Sequence, residues 1–146
     1  MKAFFDASVL VGAFYGDHPR HAACLRLLED ASKKTHFCAA HAVAELYAVM
    51  THLPVRPRIT PEQGLLFVEN VRDYFSVVTL SAAEQFEAAA DAARRGLGGA
   101  KVYALLTLKC AAKAGAEQIY TLNPQEFTRL AAPELRERLG TVSVKS

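Results

Sequence analysis

The sequence contains nothing approaching the ~18 consecutive apolar residues of a membrane span. Its N-terminal apolar stretch, Ala3-Phe4-Phe5, is cut by Asp6 before it could serve as a signal h-region. No membrane association is expected, and the chain is placed in the cytosol. Cysteine is scarce: Cys24, Cys38 and Cys110 are odd in number, widely spaced and flanked by apolar residues. With no CxxC and no Cys/His cluster, neither a disulfide framework nor a zinc site is indicated, and buried free thiols in a reducing compartment are expected. A large excess of one charge is also missing. Seventeen Lys and Arg face fifteen Asp and Glu, a formal charge of +2, far from the balance of a long nucleic-acid groove. That balance does not exclude a short nucleic acid. Internal repeats, low-complexity segments and linkers are absent, and Gly96-Leu97-Gly98-Gly99 has neither the dinucleotide fingerprint nor a following Gly-Lys-Ser/Thr.

What is present is a chain of 146 residues, 51% hydrophobic and 22% charged, enough apolar surface to offset chain entropy in one compact domain spanning 1–146. Short apolar runs alternate with helical patterns. Ala3–Phe5 reads as a strand that enters a helix capped near Asp6 or Ser8. His18-Pro19 opens a second helix with Ala22, Leu25, Leu28 and Leu27 as its apolar face. Thr35–Cys38 reads as a second strand, and His41–Met50 as a helix with Ala42, Leu46 and Val49 on one stripe, stopping before Pro54. Thr60-Pro61-Glu62 starts a helix to about Tyr74, and 76–80 reads as a third strand. Ser81-Ala-Ala-Glu84 fits a capping box for a helix to about Arg95, ended by the glycines. A helix over about 101–114 ends at Gly115; 118–122 reads as a fourth strand, Asn123-Pro124 as a turn, and 142–144 as a last strand.

Strands joined through helices require a parallel sheet with helices on both faces, so the expected fold is one three-layer α/β/α domain around a mainly parallel sheet of four or five strands. Ligands of such sheets bind at the carboxyl ends of the strands. Asp6 ends the first strand and Asn123 the fourth, so both should emerge on that edge. Glu45, about one turn into the helix after the second strand, can reach back over it. Converging carboxylates suit a hard divalent cation, since Mg²⁺ and Mn²⁺ prefer oxygen ligands. The plainer reading makes Asp6 only a helix cap and Glu45 a solvated helix residue.

Four segments weigh against the plainer reading. They are Ala3-Phe-Phe-Asp6-Ala-Ser8-Val-Leu-Val, 39–54 around Ala44-Glu45-Leu46-Tyr47, Gly98-Gly-Ala-Lys-Val-Tyr103, and 114–127 around Thr121-Leu122-Asn123-Pro124-Gln-Glu126-Phe127. Together, in this order, they resemble the PIN-domain family, and within it the VapC-type toxins of toxin–antitoxin pairs. The resemblance implies a Mg²⁺- or Mn²⁺-dependent endoribonuclease whose acidic residues hold the metal beside the scissile phosphate. By position it makes Asp6 and Glu45 the metal-binding acids. It also implies an RNA substrate, a cognate antitoxin lying over helices of the N-terminal half, and a homodimer. Phe14, Tyr15, Leu46, Tyr47 and Met50 are candidates for protein contacts.

The family usually reads Tyr-Asp-Ala-Leu after the glycines, whereas this chain reads Tyr103-Ala104-Leu105-Leu106. Ala104 therefore stands where the third acid is expected. Three accounts stay open: an inactivating replacement, a natural loss of catalysis, or a register in which Asp91 serves instead. Asn123 matches the fourth position and can orient a metal water through its amide; Glu126 is an additional carboxylate. Ser8 is either a hydrogen-bond donor at the site or a cap. His41 and His52 are candidate RNA contacts, and Arg94, Arg95 and Lys101 a candidate phosphate-contacting set. Activity is expected to be low. The alternative function is a catalytically degenerate PIN domain acting as an RNA- or antitoxin-binding module.

Overall fold

A computed structural model of the chain describes residues 1–142. Four strands, β1 (Ala3–Phe5), β2 (His36–Ala39), β3 (Ser76–Val78) and β4 (Gln118–Tyr120), form one sheet in the order β3-β2-β1-β4. Every pairing is parallel, with Phe4 opposite both Phe37 and Ile119. The expected α/β fold with a parallel sheet is therefore the observed one. Strand β1 lies at the centre and is buried along its length, which is why it reads as a continuous apolar run rather than an alternating one. The Phe5 ring meets Phe75 and Tyr120 edge-on at 5.4 and 5.5 Å, tying β1 to β4 and to the residue that leads into β3.

Helices α1 (Ala7–Phe14), α2 (His21–Arg26), α3 (Ala40–His52) and α4 (Pro61–Tyr74) pack together in one layer. Helices α5 (Ala82–Arg94), α6 (Lys101–Ala114) and α7 (Pro124–Leu130) form the other, and α8 (Pro133–Arg136) follows. Both capped starts are legible in sequence and present in space. Ser81 Oγ accepts from Glu84 N at 3.1 Å while Glu84 Oε1 accepts from Ser81 N at 2.8 Å. Thr60 forms the same reciprocal box with Gln63. Gly115 ends α6 in the left-handed region at φ 70°, where a Cβ would be strained.

Several local expectations are corrected. The buried face of α2 is Ala23 and Cys24, while Leu25 is exposed, because the helix is short and starts at His21 rather than His18. On α3 the stripe is Ala42, Leu46 and Met50; Val49 faces solvent. Leu46 and Met50 are fully buried, so they belong to the core and are not available to a protein partner. Asn123 is more than a turn: α7 follows it directly, with Pro124 at its first position. Val142 is buried outside any strand, and the rest of the proposed last strand lies outside the described residues. All three cysteines are free and buried, and burial pushes the Cys38 thiol up to about 12 and the Cys110 thiol up to about 11. Among the described residues no helix is long and apolar enough to cross a membrane.

Candidate active site

The strand order places a topological switch between β1 and β4. From β1 the chain moves outward through β2 to β3, then returns across the sheet to place β4 on the other side of β1. A crevice opens at the carboxyl ends of two strands whose connections diverge in this way. A cleft of about 410 Å³ lies there, lined by Asp6, Ser8, Glu45, Ala104, Asn123 and Glu126 among others. The sheet thus brings together Asp6, Glu45, Ala104, Asn123 and Glu126, from four separate parts of the chain.

Asp6 follows β1 directly, and its N–H continues the ladder to Tyr120 O at 3.0 Å. It occupies the N-cap position of α1, but its side chain caps nothing. Instead Asp6 Oδ2 accepts from Ser8 Oγ at 2.8 Å and from Thr121 Oγ1 at 2.9 Å. Those two hydroxyls are themselves held: Ser8 Oγ accepts from Leu122 N and Thr121 Oγ1 from Asn123 N, each at 3.0 Å. One carboxylate oxygen is therefore locked by the loop after β4. Among the described residues nothing is hydrogen-bonded to Oδ1, which is left for a ligand. Ser8 is a positioning donor here rather than a cap.

Glu45 projects from α3 on the opposite side of the cleft. Burial and the Asp6 charge both raise its pKa from the usual carboxylate value, burial contributing more. Two like charges that oppose each other across a cleft are a natural seat for a cation. His41, one turn earlier on α3, places Nε2 3.4 Å from Glu45 Oε1 and 3.0 Å from Thr107 Oγ1. The Thr107 hydroxyl proton is committed to Tyr103 O at 2.9 Å, so Thr107 can only accept from His41, and Nε2 carries the hydrogen. Desolvation lowers the His41 pKa, against a smaller upward pull from Asp6. His41 therefore stands beside Glu45 with its Nε2 hydrogen given to Thr107 rather than to the carboxylate.

Ala104 lines the cleft from α6, one residue after the exposed Tyr103. Among the described residues no three acidic, histidine or cysteine side chains converge closely enough to hold an ion. The donor set still fits a hard divalent cation in its two-carboxylate form, Asp6 Oδ1 with Glu45, because Mg²⁺ commonly takes one or two carboxylates and completes its shell with water. Asn123 and Glu126 stand at the rim, where an amide or carboxylate can reach such water.

Other candidates lie elsewhere. Asp91 pairs with Lys109 at 3.2 Å and with Arg94 and Arg95 at 3.7 Å, a network joining α5 to α6 outside the cleft. Arg94 also pairs with Glu87 within α5, whereas Arg95 donates to Leu130 O at 2.9 Å and ties the end of α5 to α7. Lys101 is exposed at the start of α6 and does not line the cleft, nor does His52 at the end of α3. Sequence reading missed Thr121, Thr107, His18 and Tyr103. His18 lines the cleft with Nδ1 accepting from Arg20 N at 2.9 Å, and desolvation lowers its pKa, with smaller contributions from Arg20 and His21. A polar residue on an otherwise apolar buried face, as Thr107 is beside Leu105, Leu108 and Ala111 of α6, is the signal that could have exposed it.

Comparison with solved structures shows the same fold in three proteins. Mycobacterium tuberculosis VapC20, a sarcin-ricin-loop-cleaving toxin, has a TM-score of 0.71 at 12% identity, covering 90% of this chain and 97% of that one. Rickettsia felis VapBC2, bound to a DNA fragment from its promoter, gives 0.63 at 19% identity over 96% and 98%. PAE2754 from Pyrobaculum aerophilum gives 0.60 at 16% identity over 95% and 83%. No curated protein matches the chain by sequence. The family match covers residues 3–133, taking in β1, β4 and every cleft residue between them, and on that match the chain belongs to the PIN domain family.

Proposed function

We propose that this chain is a divalent-cation-dependent endoribonuclease of the VapC toxin type, one carboxylate short of a full site and therefore of low activity. The observation that carries the reading is the convergence of Asp6 and Glu45 at the switch point, with Ala104 lining the same cleft where the family places its third acid. Mg²⁺ or Mn²⁺, when bound, supplies neutralisation of phosphoryl charge and acidification of water. The chain's own residues do the positioning. Ser8 and Thr121 hold the Asp6 carboxylate in one orientation, and Glu45 faces the same cleft from α3. Asn123 lines that cleft, and its amide would orient an attacking water. The substrate is RNA, the fold neighbours include a toxin that cleaves the sarcin-ricin loop, and an antitoxin protein is the expected partner of a homodimeric, cytosolic toxin. Of the candidate contacts, Tyr47 is partly exposed on α3 and remains available to such a partner.

A second reading, a degenerate PIN domain that grips RNA or antitoxin without cutting, draws on Ala104 itself. One variant separates the two. Ala104→Asp should raise Mg²⁺- or Mn²⁺-dependent RNA cleavage well above that of the parent chain. It should also produce a cation-dependent rise in Tm, because a ligand that binds only the folded state stabilises it by mass action. A folded Ala104→Asp protein that shows neither response overturns the nuclease reading and leaves the binding module.

A further inference from the structure

Among the described residues no lysine or arginine lines the acidic cleft, although a phosphodiester is a polyanion's repeating unit. Phosphate oxygens entering it draw on neutral side-chain donors instead. Two of the lining hydroxyls are already spent, because Ser8 Oγ gives its hydrogen to Asp6 Oδ2 and Thr107 Oγ1 gives its hydrogen to Tyr103 O. The side-chain donors left over in the lining are the Asn123 amide, the Tyr103 hydroxyl and His18.

Of these three, His18 is the one fixed by hydrogen bonds of its own ring and main chain. Its Nδ1 accepts from Arg20 N at 2.9 Å, which requires a lone pair on Nδ1 and places the ring hydrogen on Nε2. The main chain is pinned on both sides, His18 N donating to Tyr15 O at 3.1 Å and His18 O accepting from His21 N at 3.0 Å. His21 takes the opposite tautomer. Its Nδ1 lies 2.9 Å from Gly12 O, a carbonyl that can only accept, so that ring is committed to α1. The Nε2 hydrogen of His18 has no acceptor among the described residues, and the half-buried ring lines the cleft. A second ring proton would set an Nδ1 hydrogen against the Arg20 N–H, so the imidazole stays uncharged in this arrangement. An Nε2 that bears a hydrogen cannot ligate a cation; donating is what this ring offers the cleft.

We propose that His18 is an uncharged RNA-binding donor, its Nε2 hydrogen going to a non-bridging phosphate oxygen of the strand that lies in the cleft. The proposal rests on the ribonuclease reading and adds to it a backbone contact that positions the strand without reading its sequence.

The test is fluorescence anisotropy with a short labelled RNA, Ca²⁺ as the divalent cation, and two variants that split the ring's functions. His18→Asn keeps an acceptor near Nδ1 and removes the Nε2 donor. It should unfold at the Tm of the parent chain and bind RNA about tenfold more weakly. His18→Gln places an amide nitrogen near Nε2 and should bind within about twofold of the parent chain. Loss of an uncharged donor should also leave the dependence of log affinity on log salt unchanged, whereas loss of a cation lowers that slope by about one. Parent-like binding by His18→Asn, equal weakening in the two variants, a slope lowered by about one, or no RNA binding by the parent chain overturns the proposal. Cleavage by Ala104→Asp is read separately. If that variant cuts RNA while His18→Asn binds like the parent chain, the nuclease reading stands and the donor role alone falls.

Discussion

Thr121 Oγ1 donates to Asp6 Oδ2 at 2.9 Å, joining the residue after β4 to the residue after β1 across 115 positions of sequence. This bond spans the switch point and holds one oxygen of the Asp6 carboxylate. Thr121 is only 3% exposed, so water has little access to replace it.

Replacing Thr121 with Val keeps the shape and removes both the donor to Asp6 and the acceptor for Asn123 N. A buried polar group left without its partner costs about 1–3 kcal/mol. Urea unfolding of Thr121→Val should show an unfolding free energy lower by that amount, read as a lower midpoint at unchanged slope. A midpoint equal to that of the parent chain would mean that Ser8 alone positions Asp6.

Glu45 carries a cost in the metal-free protein. Its folded pKa lies above 4.5, so the folded state holds the proton more readily than the unfolded chain does. The ionised form therefore weakens the fold: the penalty is absent below 4.5 and is fully present once pH exceeds the folded pKa. Glu45→Gln, which keeps the shape and removes the charge, should raise Tm modestly at neutral pH without divalent cation. The gain should close as pH falls toward 4.5. The side chain is 43% exposed, so solvent keeps the effect small. A fall in Tm at neutral pH would show that the His41 contact outweighs burial and the Asp6 charge.

Gly12 marks a close approach between α1 and α2. A Cβ there would stand 2.6 Å from Cys24 Sγ and 3.3 Å from Cys24 Cβ. Gly12→Ala should destabilise by about 1–3 kcal/mol through overpacking. Removing the sulfur in the pair Gly12→Ala/Cys24→Ala should recover much of that loss, giving a measurable coupling in a double-mutant cycle. Additive losses would place the strain elsewhere in α1.

Helix and strand existence was legible because each signal is local. The capping boxes at Thr60 and Ser81, the left-handed stop at Gly115 and the apolar run of β1 depend on residues within a turn of each other. The facing of α2 and the exposure of Val49 were not, since which stripe is buried depends on what packs against it. Asp6 was legible through its position at a strand end, Glu45 through its place one turn into the helix after β2, and Ser8 through its place beside Asp6. Thr121 was not, because it meets Asp6 only when β4 is laid beside β1.

The sequence by itself determined the alternation of strands and helices, the carboxyl-edge placement of Asp6 and Asn123, and the alanine at position 104, since period, caps and residue identity are properties of the chain. Only the tertiary structure decided that Ser8 and Thr121 hold Asp6 Oδ2, that His41 stands beside Glu45 and bonds Thr107, that Asp91, Arg94 and Arg95 serve an ion-pair network instead of the cleft, and that Tyr103 stands open at its mouth. Those outcomes depend on distances between segments far apart in sequence, which the parallel sheet and its switch point impose and local patterning does not encode.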